Sequence, residues 1–179
     1  MRTRGRTLAL GALLAIAGGA WACSTVEVST DYDSAANFSQ YKTFAFLPMG
    51  KIDSITAGRV ETAITRALQA KGLQRATGEG DLKISVRGRM SHQKVITSVG
   101  WGGYGWWRGW RGGMGTTTVQ NVPIGTLLVD LVDARADKLV WRGTATRALD
   151  ASSTGAQKQE ELDRAMAKLF AAYPPTPGQ

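Results

Sequence analysis

The chain has few residues that could carry out chemistry through a cysteine or a histidine. Its 179 residues contain a single Cys, Cys23, and a single His, His92. A lone Cys cannot form an internal disulfide or a Cys-based zinc site, and a lone His excludes HExxH metalloproteases and His-containing catalytic triads. No Ser lies in a GxSxG motif, so a hydrolase of that type is not supported. We therefore expect no cofactor, no metal and no enzyme activity.

Asp130 is the carboxylate with the strongest claim to a special role, because it interrupts the apolar run LLVDLVD. Strand alternation puts it on the same face as Leu128 and Val132. A buried carboxylate needs a partner, and Arg142, across a predicted hairpin, is well placed to provide it. We interpret Asp130 and Arg142 as a structural ion pair. A general-acid role would require a second carboxylate nearby, which the sequence does not identify.

The first 22 residues have the three parts of a secretory signal peptide: a basic start, an apolar run from Leu8 to Ala17, and small residues before Cys23. The apolar run is too short to span a bilayer as a helix. The sequence AWAC, which ends at Cys23, resembles the lipobox of bacterial lipoproteins, in which the Cys is acylated and becomes the new N-terminus. Ordinary signal-peptidase cleavage after Ala22 is the alternative.

Lipidation of Cys23 fits the sequence better than simple secretion, because an unpaired Cys at the first mature position of a secreted chain would be unusual. Ser24 follows it, rather than the Asp that resembles an inner-membrane retention signal. We therefore expect residues 1–22 to be removed and the lipid on Cys23 to anchor the protein on the periplasmic face of the outer membrane.

The basic charge gives weak support for any particular partner. The formal net charge is +8, but Arg2, Arg4 and Arg6 lie in the predicted signal peptide, so the mature chain carries +5. A modest positive charge on a domain of this size is common. Together with the exported location, this leads us to expect no nucleic acid partner.

The segment from Gly100 to Gly115, GWGGYGWWRGWRGGMG, has an unusual composition. Its candidate binding residues are aromatic or basic: Trp101, Tyr104, Trp106, Trp107, Arg108, Trp110 and Arg111. The segment contains a G-x-G-x-x-G pattern, but no helix follows that could bind a pyrophosphate, so we reject a dinucleotide site. Three interpretations stay open. The segment could be a plain connection between strands, a contact with anionic lipid headgroups, or a binding surface for an envelope glycan or protein.

Hydrophobic periodicity predicts six strands and two helices. The strands cover residues 25–32, 42–47, 82–90, 116–122, 127–133 and 138–148, and the helices cover 55–71 and 157–173. Ser54 and Gly72 are expected to bound the first helix, and Thr154 with Gln157 fits a capping box for the second. Since most strands follow one another directly, we expect an α+β fold with an antiparallel or mixed sheet and both helices on one face. One domain then spans 23–173, with a tail at 174–179.

Several sequence blocks together resemble a known family. They are VEVSTDYDSAANFSQYKTFAFLP after Cys23, ALQAKGL before GDLKISV, and GTLLVDLVDARADKLVWRGTA before a helix that ends in YPP. This set resembles the bacterial lipoprotein family catalogued as domain of unknown function 4136, over nearly the whole mature chain. The resemblance implies a cell-envelope lipoprotein with an α+β domain, and it brings no catalytic residues.

The sequence thus favours a non-enzymatic lipoprotein that binds another envelope component. Two alternatives stay open. One is an envelope enzyme that acts on cell-wall glycan or lipid through Asp130 and a second carboxylate. The other is a carrier of a lipid or small ligand, which would require an apolar pocket between the sheet and the helices.

Overall fold

The structure is a computed structural model that describes residues 26–99 and 116–176. Within these ranges the chain forms six strands and two α-helices. The strands are β1 (Glu27–Tyr32), β2 (Thr43–Phe46), β3 (Gln74–Arg75), β4 (Leu82–Val99), β5 (Thr116–Asp133) and β6 (Lys138–Ala148); the helices are α1 (Ser54–Gln69) and α2 (Gly155–Leu169). No helix in the described part of the chain is both long and apolar enough to cross a membrane.

The strands form one mixed sheet in the order β1-β6-β5-β4-β2-β3. The pairs β1/β6, β6/β5 and β5/β4 are antiparallel, whereas β2 pairs in parallel with both β4 and β3. The parallel pairing follows from α1, which carries the chain from β2 back to the same end of the sheet. The predicted α+β fold with a mixed sheet is confirmed, and β3 is an addition that the sequence did not predict.

The hydrophobic core lies between one face of the sheet and the two helices. Alternate residues of β4 and β5 point into it, as do the apolar stripes of both helices; the fully buried members include Ile84, Val86, Val129, Leu131, Val60, Ile64, Ala165 and Met166. At β6, the Trp141 ring packs against Phe170 with a centroid separation of 5.0 Å. Gly143 allows this packing, because a Cβ there would come within 3 Å of both Trp141 and Leu169.

The strand β5 is longer than predicted, because the two expected strands at 116–122 and 127–133 are one. Pro123 lies between them and lacks an amide hydrogen. Its carbonyl accepts a hydrogen bond from Leu149 N at 2.8 Å, just beyond the last residue of β6. Since the N–H and C=O of a strand residue point the same way, the missing amide faces the side where β6 has already ended, and the β4/β5 ladder continues unbroken.

The helix α1 begins one residue earlier than predicted and has a different cap. The Asp53 side chain accepts a hydrogen bond from Thr56 N at 2.9 Å, so Asp53 is the N-cap and Ser54 is the first helical residue. Asp and Ser are similarly good N-caps, so propensity alone could not separate these neighbours. At the other end, Gly72 has a positive φ of 87°, in agreement with its predicted role in stopping the helix.

The helix α2 has the predicted capping box but ends earlier than expected. Gln157 N donates to Thr154 Oγ1, and Thr154 N donates to Gln157 Oε1 at 2.7 Å. The α-helix stops at Leu169, and a 3-10 turn at Phe170–Ala172 follows. Because Tyr173 precedes a proline, it adopts an extended conformation, which prevents the predicted continuation of the helix to residue 173.

Replacing the two candidate caps of α1 separately tests the observed geometry. We expect Asp53→Ala to lower the midpoint of urea unfolding, because it leaves the Thr56 amide without its partner. The matched variant Ser54→Ala should leave the midpoint nearly unchanged, since Ala is at least as good as Ser inside a helix. A larger loss for Ser54→Ala than for Asp53→Ala would contradict this assignment of the cap.

Candidate functional site

An ion-pair cluster occupies the sheet face that the helices do not cover. Arg142 donates to Asp130 through Nε at 2.6 Å and through Nη2 at 2.9 Å. Arg87, on β4, donates to the same carboxylate at 2.6 Å. The register places Asp130 opposite Arg142, which is the condition for the expected ion pair, and the structure adds a second arginine that the sequence did not indicate.

Burial and charge act in opposite directions on Asp130. Its side chain is only 8% exposed, and this burial raises the pKa of its carboxyl. The hydrogen bonds from Arg142 and Arg87 and their positive charges outweigh burial, so the pKa of Asp130 lies below its ordinary value. Both carboxylate oxygens of Asp130 accept from arginine. This arrangement suits a structural anchor rather than a group that exchanges protons near neutral pH.

The β4/β5 hairpin extends well beyond the rest of the sheet. β6 pairs with β5 only as far as Ile124, and β2 pairs with β4 only at residues 82–84. The pairing of β4 with β5 nevertheless continues for eight further pairs, from His92↔Pro123 to Val99↔Thr116. We call residues 92–99 and 116–123 the arm. At about 3.4 Å per residue, the arm is roughly 25 Å long.

Solvent surrounds the arm. All residues from 92 to 98 are exposed, including His92. Ile96 and Val119, which face each other across the two strands, are 65% and 56% exposed. The segment 100–115 joins the far ends of the two arm strands along the chain. Exposed apolar side chains directly opposite one another on a two-stranded ribbon form a patch suited to contact with another molecule.

A second feature is an apolar cleft of about 670 Å³ between the sheet and the helices. Residues of β4, β5, β6 and α2 form its floor and walls, among them Gly88, Leu127, Ala145, Leu162, Ala165 and Met166. Ile52 packs over Gly88 and Leu149 over Gly125, since a Cβ on either glycine would lie only 3.0–3.1 Å from those side chains. Two glycines on the inner face of the sheet therefore leave the room that Ile52 and Leu149 occupy at the wall of the cleft.

The rim of the cleft is charged and mostly basic. Five basic and three acidic residues line it: Lys51, Arg59, Arg89, Arg147, Lys158, Asp53, Asp150 and Glu161. Arg147 is bound within the domain, with its Nη1 2.9 Å from Glu161 Oε2. Asp130 does not line this cleft, because it lies on the opposite face of the sheet.

Several residues singled out from the sequence lie outside the described residues. They are Cys23 and the aromatic and basic residues of the segment 100–115, namely Trp101, Tyr104, Trp106, Trp107, Arg108, Trp110 and Arg111. Among the residues that are described, no group of three or more His, Cys, Asp or Glu side chains could hold a metal ion. Asp33, for example, forms an ion pair with Lys138 at 2.6 Å.

Sequence reasoning missed Arg87 and the cleft. Arg87 belongs to the polar face of β4, like Lys83 and Ser85, so its direction was predictable. Its contact with Asp130 depends on the register across a connection of unknown geometry, which a single sequence does not specify. The cleft depends on Gly88 and Gly125, and glycines inside strands signal a close approach without naming the partner.

Removing the charge of Asp130 tests the cluster. We expect Asp130→Asn to lower the free energy of unfolding at pH 7 by about 1–2 kcal/mol, because three charge-assisted hydrogen bonds are weakened while the partly exposed arginines stay hydrated. Since the folded pKa of Asp130 is depressed, its stabilisation is present above the unfolded pKa and is lost as pH falls through the folded pKa.

The measurement is urea unfolding of both proteins from pH 7 down to pH 3. The difference between them should be constant above about pH 5 and should shrink below pH 4. The control is Asp137→Asn, in which an 80% exposed carboxylate loses its pair with Lys83. We expect that control to change the free energy of unfolding by less than about 0.5 kcal/mol. Equal effects of the two substitutions would show that burial does not distinguish Asp130.

Comparison with one solved structure supports the fold. The chain is similar to a PDZ domain protein from Parabacteroides distasonis, with 16% sequence identity, a TM-score of 0.57, and coverage of 85% of this chain and 36% of the other. The chain thus spans little more than a third of the length of that protein. It also matches the PelC dodecamer from Paraburkholderia phytofirmans, with 16% identity, a TM-score of 0.48, and coverage of 82% and 95%.

Comparison by sequence identifies the family. No curated protein matches the chain. The family model described as "Domain of unknown function (DUF4136)" matches residues 28–175, which include every helix and strand except the first residue of β1. The chain therefore belongs to the DUF4136 family.

Proposed function

We propose that this chain is a non-enzymatic lipoprotein of the bacterial cell envelope, anchored to the outer membrane through an acylated Cys23, and that it binds another envelope protein through the arm. The observation that carries the proposal is the arm itself. A two-stranded ribbon without further strands or a covering layer is marginally stable in water. A ribbon of eight pairs that extends from the sheet is therefore suited to be completed by a partner.

The backbone of the arm supports a protein partner. Among the described residues, neither outer edge of the arm has a neighbouring strand, since β2 and β6 end before it begins. Such edges present rows of amide and carbonyl groups that can pair with an added strand. The exposed pair Ile96 and Val119 adds apolar contact beside these edges.

Charge supports a partner with an acidic surface. Residues 82–129 contain no Asp or Glu, whereas the stretch between the arm's first and last residues contains Lys94, Arg108 and Arg111. A region with one sign of charge attracts a partner of the opposite sign and increases the rate of encounter. Trp residues in the connecting segment add the aromatic side chains that are enriched at protein interfaces.

The position of Asp130 supports the non-enzymatic part of the proposal. The enzyme alternative needs Asp130 in a cleft with a second carboxylate. Asp130 instead lies on the sheet face opposite the cleft, and its oxygens accept from Arg87 and Arg142. The alternative thus loses the one carboxylate that the sequence offered for it.

Photo-crosslinking in intact cells tests the arm as a contact surface. We expect photoreactive p-benzoylphenylalanine in place of Ile96 to give a discrete crosslinked protein band. The same substitution at Ile55, at the start of α1, should give none. The two positions form a matched pair, because Ile96 and Ile55 are 65% and 67% exposed. Equal crosslinking at both positions, or crosslinking at Ile55 alone, would contradict binding through the arm.

A second variant tests whether the Gly- and Trp-rich segment at residues 100–115 is part of the contact. The last register pair is Val99↔Thr116, so a two-residue Asn-Gly turn can replace residues 100–115 and close the hairpin. We expect an unchanged midpoint of urea unfolding, because the core lies at the other end of β4 and β5, and a reduced yield of crosslinking at Ile96. An undiminished yield would show that residues 100–115 are not part of the contact.

The anchor has its own test. We expect the full chain expressed in a Gram-negative bacterium to incorporate an alkyne analogue of palmitate, and Cys23→Ala to lose both the label and sedimentation with membranes. Several acyl chains on one residue give stable anchoring, since each buried methylene contributes about 0.8 kcal/mol. Ser24→Ala is the matched control and should keep the label. A label that persists in Cys23→Ala would refute the anchor.

A further inference from the structure

We infer that the cleft between the sheet and the helices binds a single-chain anionic amphiphile, such as a fatty acid, with its hydrocarbon chain against the apolar floor and its carboxylate at the basic rim. Two observations carry this inference. One is the size and apolar lining of the cleft, and the other is the distribution of unpaired charge around its mouth.

The floor of the cleft fits a hydrocarbon chain. Its volume of about 670 Å³ lies within the range of pockets that hold small ligands. The inner face contributes Leu127 and Ala145, and α2 contributes Leu162 and Met166, so a ligand would meet mainly carbon atoms. Burial of apolar ligand surface in such a site is favourable in proportion to the area removed from water.

The acidic residues at the rim are each engaged within the domain. Asp53 caps α1 through Thr56 N, Asp150 accepts from the Ser152 hydroxyl at 2.6 Å, and Glu161 pairs with Arg147. These carboxylates therefore have protein donors of their own. Arg147 neutralises Glu161, whereas Asp53 and Asp150 keep their negative charge but are oriented toward donors of the protein.

Three basic residues at the rim are not engaged in this way. In the part of the chain that the structure describes, Lys51, Arg59 and Lys158 form no ion pair, although all three line the cleft. Arg59 is half-buried beside Gly155, at the start of α2. A partly desolvated guanidinium is well suited to bind a carboxylate through two parallel hydrogen bonds. The rim thus selects for an anionic headgroup.

The location of the cleft agrees with a ligand that comes from a membrane. Val26 lines the cleft, and Cys23 precedes it by three residues, a chain length of at most about 11 Å. An acylated Cys23 would therefore hold the mouth of the cleft close to the bilayer. The proximity of the cleft to the bilayer rests on the proposed function, whereas the apolar floor and the basic rim of the cleft do not.

Titration calorimetry tests the inference with the full chain carrying Cys23→Ala, so that the result does not depend on the anchor. The ligands are dodecanoate and dodecyltrimethylammonium, which share a chain length and differ in the sign of the headgroup. We expect dodecanoate to bind at least tenfold more tightly. The double substitution Arg59→Gln with Lys158→Gln should weaken dodecanoate binding roughly threefold to tenfold.

Two further variants complete the design. The matched control, Arg135→Gln with Arg164→Gln, removes two arginines that do not line the cleft and should change the affinity less than twofold. Ala145→Leu narrows the floor and should weaken both amphiphiles. Absence of dodecanoate binding, equal affinity for the cationic amphiphile, or an unchanged affinity in the Arg59/Lys158 variant would each overturn the inference. Loss of lipid labelling with retained dodecanoate binding would refute the anchor and leave the cleft intact.

Discussion

The pairing of β4 with β5 is the interaction on which the other features of this domain depend. It runs without a register shift from Leu82↔Asp133 to Val99↔Thr116. A slip of β5 by one residue against β4 would exchange the two faces of β5. Val129 and Leu131 would then leave the core, and Asp130 would enter it without its arginines. The apolar core and the ion-pair cluster on the opposite face thus enforce the same register.

The core and the ion-pair cluster determine the register only in the half of the β4/β5 hairpin that lies outside the arm. Near the core, β6 and β2 flank the pair and two helices cover it, whereas within residues 26–99 and 116–176 no third strand pairs with the arm. Local stability should therefore fall along the strands, from the full unfolding free energy at Ile84 to near zero at the far end of the arm. A surface that is specified in register but weakly held can adapt to a partner while still presenting the same side chains.

Much of this architecture follows from local sequence signals. Two-residue alternation identified the inner face of β4, helical periodicity identified the buried stripes of α1 and α2, and the Thr154 capping box located the start of α2. The Asp130 and Arg142 pair was predictable because a short turn joins their strands. In each case the residues that decide the outcome lie close together in sequence.

The missed features depend on contacts between distant segments. The length of the arm depends on where β2 and β6 end. The sequence of residues 92–99 gives no information about those ends. The strands predicted at 116–122 and 127–133 are one, because the missing amide of Pro123 faces a side without a strand. The cleft requires Ile52 and Leu149 to pack over two strand glycines. Each of these outcomes depends on the position of a segment distant in sequence, and sequence periodicity does not predict that position.

The topology also determines which features lie at the same end of the domain. Because β1, β6, β5 and β4 are successive antiparallel neighbours, Glu27 is level with Thr146, Thr126 and Arg89. The arm begins only three pairs further along β4, and Val26 lines the cleft. The chain therefore enters the domain at the end that carries both the arm and the cleft. An anchor on Cys23 would place both next to the membrane, and the Arg142 end of the domain would face away from it.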